Sequence, residues 1–250
     1  MKILVLIFFF LLVLLSIVAV LFMLASVFSR VRRGKSNPVK SPEIKIGAQK
    51  QIIPSHMLVE YYGDLKKTSN GEPRKLFEKG LSFKQKRKFL EAIDVFEKCL
   101  NGDLTPEQKT GLLVTAGNCY FALDKLDLAQ TYYEKADRLS RESDNKNGRL
   151  SCLINLGQVH AAEGNWDGAI RKYHQAIGLD QKLSYTAGEA IDLNTLALFY
   201  ENKGDLKSAM THYTASRLIF EKLKDRKKME LVENNIKRVI NLGIEAKIED

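Results

Sequence analysis

Catalytic and metal-binding signatures are missing from this chain. It has no glycine-rich phosphate loop, no GxGxxG fingerprint and no GxSxG elbow. The histidines, His56, His160, His174 and His212, are scattered, and no pair has i, i+4 spacing with an acid close by. A structural role is therefore expected for them rather than metal ligation or catalysis. Cysteine is equally sparse. Cys99, Cys119 and Cys152 are odd in number and form no CxxC pair, as expected of small buried thiols in a reducing compartment. No Asn-x-Ser/Thr sequon occurs, and the first cysteine, Cys99, lies far too late to serve as a lipobox. These absences argue against a disulfide scaffold, a zinc module and a recognisable hydrolase. The expectation is a non-enzymatic binding protein without cofactor or metal. An enzyme subunit with a site hidden in a groove is the less favoured alternative.

Charge is absent from Ile3 to Phe28, where Ser16 and Ser26 are almost the only polar residues. Eighteen or more apolar residues suffice to cross a bilayer as a helix. The competing reading is a cleaved signal peptide, but its apolar core would be only about 7–15 residues, and Ala25-Ser26-Val27 is a poor cleavage site. Arg30, Arg32, Arg33, Lys35 and Lys40 crowd the C-terminal flank against Lys2 at the other end. A basic flank stays in the cytoplasm, so the N-terminus is expected outside and the rest of the chain in the cytosol. Residues 29–50 carry a net charge of +6 out of the chain's +9, so the high isoelectric point belongs to this juxtamembrane stretch. Arg30, Arg32, Arg33 and Lys35 serve as a topology signal and as an attraction for anionic lipid headgroups. Nucleic acid is not expected as a partner, because the basic excess is off the folded domain and lacks aromatics. Pro38, Pro42 and Pro54 make residues 29–71 a tether, within which His56–Lys67 has the composition of a short helix packing on the folded domain.

From Leu76 to Ser216 one pattern is written four times. Its copies are Leu76, Gly80, Phe83, Phe89, Ala92, Phe96, Cys99; Leu113, Gly117, Tyr120, Leu126, Ala129, Tyr133, Ala136; Leu153, Gly157, His160, Trp166, Ala169, Tyr173, Ala176; and Leu193, Ala197, Tyr200, Leu206, Ala209, Tyr213, Ser216. The internal spacing is 4, 3, 6, 3, 4, 3 throughout, and the alanines recur at intervals of 37, 40 and 40. Each half of the pattern is an i, i+4, i+7 stripe, one face of an α-helix. The small residues sit where paired helices approach most closely, and the aromatics fill the space between pairs. Gly164 and Gly204 fall between the helices, where a residue with positive φ is wanted.

The order of Leu-Gly, Tyr, Ala and Phe resembles the tetratricopeptide repeat over about 140 residues. The resemblance implies an all-α fold: a right-handed superhelix of about four helix-turn-helix repeats and a C-terminal capping helix, here preceded by one transmembrane helix. The family's period is 34, so copies of 40 imply longer helices, as in kinesin-light-chain-like repeats. The first copy departs from the pattern, with Arg87 where later copies carry a turn glycine. The expected organisation is 1–28 as the transmembrane helix, 29–71 as the tether, 72–225 as repeats (72–104, 105–146, 147–185, 186–225) and 226–250 as cap and tail. Thr105-Pro106-Glu107-Gln108 reads as a capped helix start, and a last helix is expected near Met229–Lys247 after a charged break at Lys224–Lys228. That helix closes the solenoid's open end or binds a partner.

The family binds peptides or proteins in a concave groove lined by the first helix of each pair. The resemblance places Leu81, Asn118, Gln158 and Leu198 in the inward row, with Phe77, Val114, Ile154 and Asn194 beside them, and Glu201 and Asn202 near its end. Asn and Gln amides suit the backbone of an extended peptide, or else satisfy neighbouring backbone within the protein. The row lacks the basic cluster with which family members clamp a C-terminal carboxylate. The leading expectation is a membrane-anchored scaffold that recruits a protein or peptide. An extracytoplasmic binding module is the alternative, and self-association through the repeats is a further expectation.

Overall fold

A computed structural model describes residues 59–64 and 71–248. The expected membrane span at 3–28 and the basic stretch of the tether lie outside those residues. Among the described residues no helix is long and apolar enough to cross a membrane.

The described residues hold α1 (Glu72–Gln85), α2 (Phe89–Leu100), α3 (Pro106–Ala122), α4 (Leu126–Glu142), α5 (Lys146–Ala162), α6 (Trp166–Leu183), α7 (Thr186–Asn202), α8 (Leu206–Lys222) and α9 (Arg226–Ile248). They pair in order as α1/α2, α3/α4, α5/α6 and α7/α8, each pair packing on the next, and α9 packs on α8. The helices of the last three pairs run to 17 or 18 residues, the extra length that a 40-residue period demands. Those of the first pair are shorter, at 14 and 12.

Each pair turns through one left-handed residue at the same position of the pattern: Arg87, Asp124, Gly164 and Gly204 all have positive φ. The chain then closes a C-terminal helix motif in which the next amide reaches back, as Asn165 N–H does to the His160 carbonyl at 2.8 Å. Arg87 therefore keeps the turn geometry without glycine, at the steric cost of roughly 1–2 kcal/mol that a Cβ carries there. Its guanidinium lies 5.9 Å from the Phe89 ring centroid. The starts of α3, α5, α6 and α8 are side-chain capped. Thr105 and Gln108 form a reciprocal capping box, and Asn145, Asn165 and Asp205 accept from the third amide beyond them.

The pairs are held at close range by a small residue facing a ring. A Cβ on Gly80 would come within 2.3 Å of Phe96, one on Gly117 within 2.6 Å of Tyr133, and one on Gly157 within 2.6 Å of Tyr173. In the fourth pair Ala197 and Tyr213 are both fully buried in one cluster. The three free thiols are buried too, and desolvation pushes Cys99 up to about 11 and Cys119 up to about 12.

Two expectations for local structure are revised. The terminal helix begins at Arg226, inside the stretch read as a charged break, because Asp225 caps it by accepting from Lys228 N–H at 3.1 Å. Val232 and Val239 are buried against α8, whereas Leu231, Ile240 and Ile244 point outward. Residues 59–62, read as part of a short helix, are non-helical and end in a turn at Gly63, whose φ is +55°. Gly63 cannot carry a side chain there, since its Cβ would meet the Glu107 carbonyl oxygen at 2.4 Å.

Two glycines of the third pair should respond to substitution with opposite signs. Gly157→Val should lower urea-unfolding stability by about 1–3 kcal/mol through overpacking against Tyr173. Gly178→Ala, mid-helix in α6 with open space around the new Cβ, should be neutral or stabilise by about 0.4–1 kcal/mol.

Candidate functional site

The first helices of the last three pairs, α3, α5 and α7, are buried on more than one side. In α3, buried residues run almost continuously from Gln108 to Cys119, whereas α4 buries a single stripe around Ala129, Tyr133 and Ala136. Part of the cover on α1, α3 and α5 is the non-helical segment Val59–Gly63. Its main chain is gripped by two asparagines. Val59 N–H donates to Asn155 Oδ1 at 2.7 Å, and the Val59 carbonyl accepts from Asn155 Nδ2 at 3.0 Å and Asn118 Nδ2 at 3.4 Å. Asn118 is oriented by its other oxygen contacts, accepting from Tyr133 OH at 2.7 Å and Asn155 Nδ2 at 3.1 Å. Both amides are buried beneath the segment.

The next residues of the segment find their own partners. Glu60 pairs with Lys84 of α1. Tyr61 OH donates to Asn145 Oδ1 at 3.1 Å and accepts from its Nδ2 at 2.8 Å, so the residue that caps α5 also holds the segment. Tyr62 meets Phe77 edge-on at 5.6 Å. Gly111 admits the backbone there, since a Cβ on it would come within 2.5 Å of the Tyr62 carbonyl carbon. Burial pushes the Tyr61 hydroxyl up and that of Tyr62 up to about 12, so both stay protonated across the physiological range.

Beside Val59 opens a pocket of about 500 Å³ lined by Leu150, Ile154, Ala187 and Ile191, with Asp180 and Asp192 at its wall. Desolvation raises both carboxyls, Asp180 to about 6, and the Asp180 charge adds to the rise of Asp192. Two buried neighbouring acids favour a protonated form over two negative charges.

The row read from the sequence divides into several roles. Asn118 meets the segment, and Ile154 lines the pocket beside it. Gln158 is buried and donates to Tyr173 OH. Val114 is core. Asn194 accepts from Asn235 of α9 at 3.0 Å. Glu201 is held by Arg238 of α9 through contacts of 2.7 and 2.8 Å, and it accepts from Tyr213 OH at 2.9 Å. Asn202 bonds the Leu198 carbonyl of its own helix at 2.8 Å. Asn194, Glu201 and Asn202 are therefore committed within the fold. Phe77 is core and meets Tyr62, while Leu81 and Leu198 are half-buried. Sequence reasoning missed Asn155, Asn145, Lys84 and Gly111. Of these only Gly111 carried a signal, being a mid-helix glycine that the repeat pattern does not require.

His174 and His212 join Tyr200 in a separate cluster, with Tyr200 stacked on His212 at 5.2 Å and His174 Nε2 3.2 Å from Tyr200 OH. Desolvation, reinforced by His174, lowers His212. Among the described residues no group of His, Cys, Asp or Glu is disposed to hold a metal ion.

Comparison with known proteins agrees with this architecture. The tetratricopeptide repeat family model matches residues 111–182, from within α3 to the end of α6. A relative from Bos taurus, outer dynein arm-docking complex subunit 4, is 24% identical over 193 residues, covering 77% of this chain and 27% of that protein. The chain thus spans about a quarter of the length of the curated relatives it matches. Among solved structures, the apo form of RapI is similar with a TM-score of 0.64 at 14% identity, over 71% of this chain and 66% of that one. The kinesin light chain nearly identical TPR-like repeats of Podosopora anserina give 0.51 at 14% identity, over 68% of this chain and 97% of that one. At such identities the structural likeness establishes the fold alone: an all-helical, tetratricopeptide-like stack.

The acid pair sets a pH dependence. Because the folded pKa values lie above the ordinary carboxylate range, the folded chain keeps a proton that the unfolded chain releases. The pair's contribution is complete below about pH 4 and is lost as pH rises through about 6 and beyond. Asp192→Asn should raise the Tm at pH 7.5 and flatten the fall between pH 5 and 7.5, converging with wild type near pH 4, as read by thermal melts across that range.

Proposed function

We propose that this chain is a membrane-anchored scaffold whose repeat domain binds an extended segment of a protein partner across its first helices and holds that partner at the membrane. The observation that carries the reading is the buried Asn118–Asn155 pair, which bonds both the N–H and the carbonyl of one residue, Val59. Side-chain amides used this way recognise a main chain without dictating its sequence, in the manner of strand addition. Anchoring is supported by the uncharged run at residues 3–28, and a cytosolic repeat domain by the basic flank after it. Arg30, Arg32, Arg33 and Lys35 add attraction to anionic headgroups of about 1 kcal/mol per residue near the surface. The name of the bovine relative, a docking-complex subunit, is in keeping with an assembly role. The chain acts by binding rather than by catalysis, and its ligand is protein rather than nucleic acid.

The test places a photo-crosslinking residue in the full-length membrane-bound chain, either at Ile191 on the groove pocket or at Leu128 on exposed α4. Protein adducts should form from Ile191, should fade in an Asn155→Ala background, and should be absent from Leu128. Equal yields from both positions, or yields indifferent to Asn155, would contradict the reading. Protease protection of a C-terminal tag in the same cells should persist until the membrane is opened; digestion from outside would place the repeats extracytoplasmically.

A further inference from the structure

We infer that the groove takes an extended segment of the pattern apolar–acidic–aromatic–aromatic–glycine, and that the chain's own Val59–Gly63 is its resident occupant, which a partner segment of like chemistry must displace. The inference rests on the groove reading above and deepens it by naming the ligand class. Each residue of the segment meets a different subsite. The main chain of Val59 lies on Asn118 and Asn155, Glu60 on Lys84, Tyr61 on Asn145, Tyr62 on Phe77, and Gly63 against the Glu107 carbonyl. The acidic position is set by a lysine, the second aromatic by an apolar ring, and the last position by a backbone contact that leaves no room for a Cβ. These subsites come from α1, α3 and α5, so the segment crosses successive repeats as a foreign peptide would.

Burial is lopsided. No residue of the segment is fully buried, yet Asn118 and Asn155 beneath it are. Without the segment Asn155 Oδ1 loses the Val59 N–H, and Nδ2 loses the Val59 carbonyl while keeping Asn118 Oδ1 at 3.1 Å, so a donor and an acceptor are left facing water or another main chain. The groove therefore presents a donor and an acceptor to any main chain that takes the segment's place, and the segment, none of it fully buried, is the more exposed side of the contact. Only the short stretch before α1 separates the segment from its site, and a short linker holds such a ligand at an effective concentration on the order of millimolar. Self-occupancy of that kind weakens any competitor by the fraction of time the groove is open.

The experiment uses the full chain in detergent micelles and a fluorescein-labelled synthetic peptide of residues 57–66, followed by fluorescence anisotropy. Two substitutions, both at positions outside the helices, loosen the resident segment. Gly63→Val collides with Glu107, and Val59→Pro removes the N–H that Asn155 accepts. Each variant should bind the peptide at least about tenfold tighter than wild type, and adding Asn155→Ala should reverse the gain. If wild type binds as tightly as both loosened variants while Asn155→Ala still weakens all three, the groove reading stands and self-occupancy is wrong. If no form binds, or binding ignores Asn155→Ala, the groove reading falls with it. Circular dichroism checks folding, and should Gly63→Val melt early, Val59→Pro decides alone.

Discussion

A ring lying against a residue without a side chain organises this protein. Gly80 under Phe96, Gly117 under Tyr133 and Gly157 under Tyr173 let two helices approach until the ring fills the gap, and the pairs stack on what that contact builds. Where the ring is tyrosine, its buried hydroxyl needs a partner, and the first helix of the pair supplies one: Asn118 for Tyr133, Gln158 for Tyr173 and Glu201 for Tyr213. The first pair has Phe96, which has no hydroxyl, and carries Leu81 where the next two place an amide. Core packing thus decides where polar side chains stand on the first helices. Asn118 then has a second hydrogen-bonding edge left over, and that edge meets the main chain of Val59.

The same demand ends the solenoid. Glu201 is almost buried, and its charge is tolerated because Arg238 and Tyr213 cover both carboxylate oxygens. Bidentate geometry of this kind repays part of the desolvation cost that a buried carboxylate incurs. The terminal helix is consequently tied to the first helix of the last pair as well as packed on the second. Groove chemistry is left to the first three pairs, where Asn118, Asn155, Asn145 and Lys84 converge on one stretch of chain.

Much of this was legible in the spacing. Seven slots repeating at 4, 3, 6, 3, 4, 3 specify helix pairs, because only helical periodicity puts those residues on one stripe, and the pattern marks the left-handed turn even where Arg87 replaces glycine. The groove was half legible. Reading inward positions from the family's geometry finds Asn118 but steps past Asn155, one residue beyond Ile154, because a helical face is wider than a single row. Asn194 and Glu201 looked like groove residues because sequence alone does not show that α9 lies over them. The segment itself was misread for a physical reason. Tyr61 and Tyr62 followed by Asp64, Leu65 and two lysines have helical composition, and what keeps 59–62 out of a helix is contact with α1 and with α3 and α5 further along the chain. Gly111 was the trace it left: a glycine inside a helix, off the repeat pattern, where another backbone passes too close for a Cβ.

The most direct test of the account is hydrogen exchange at one amide, that of Val59, read by NMR or by mass spectrometry with residue resolution. Its N–H points at a buried asparagine oxygen 2.7 Å away. It should therefore exchange far more slowly than an unstructured amide in wild type, and lose that protection in Asn155→Ala while the amides of α3 and α5 keep theirs. Exchange of Val59 at the free-chain rate in wild type would contradict a groove that holds its own main chain.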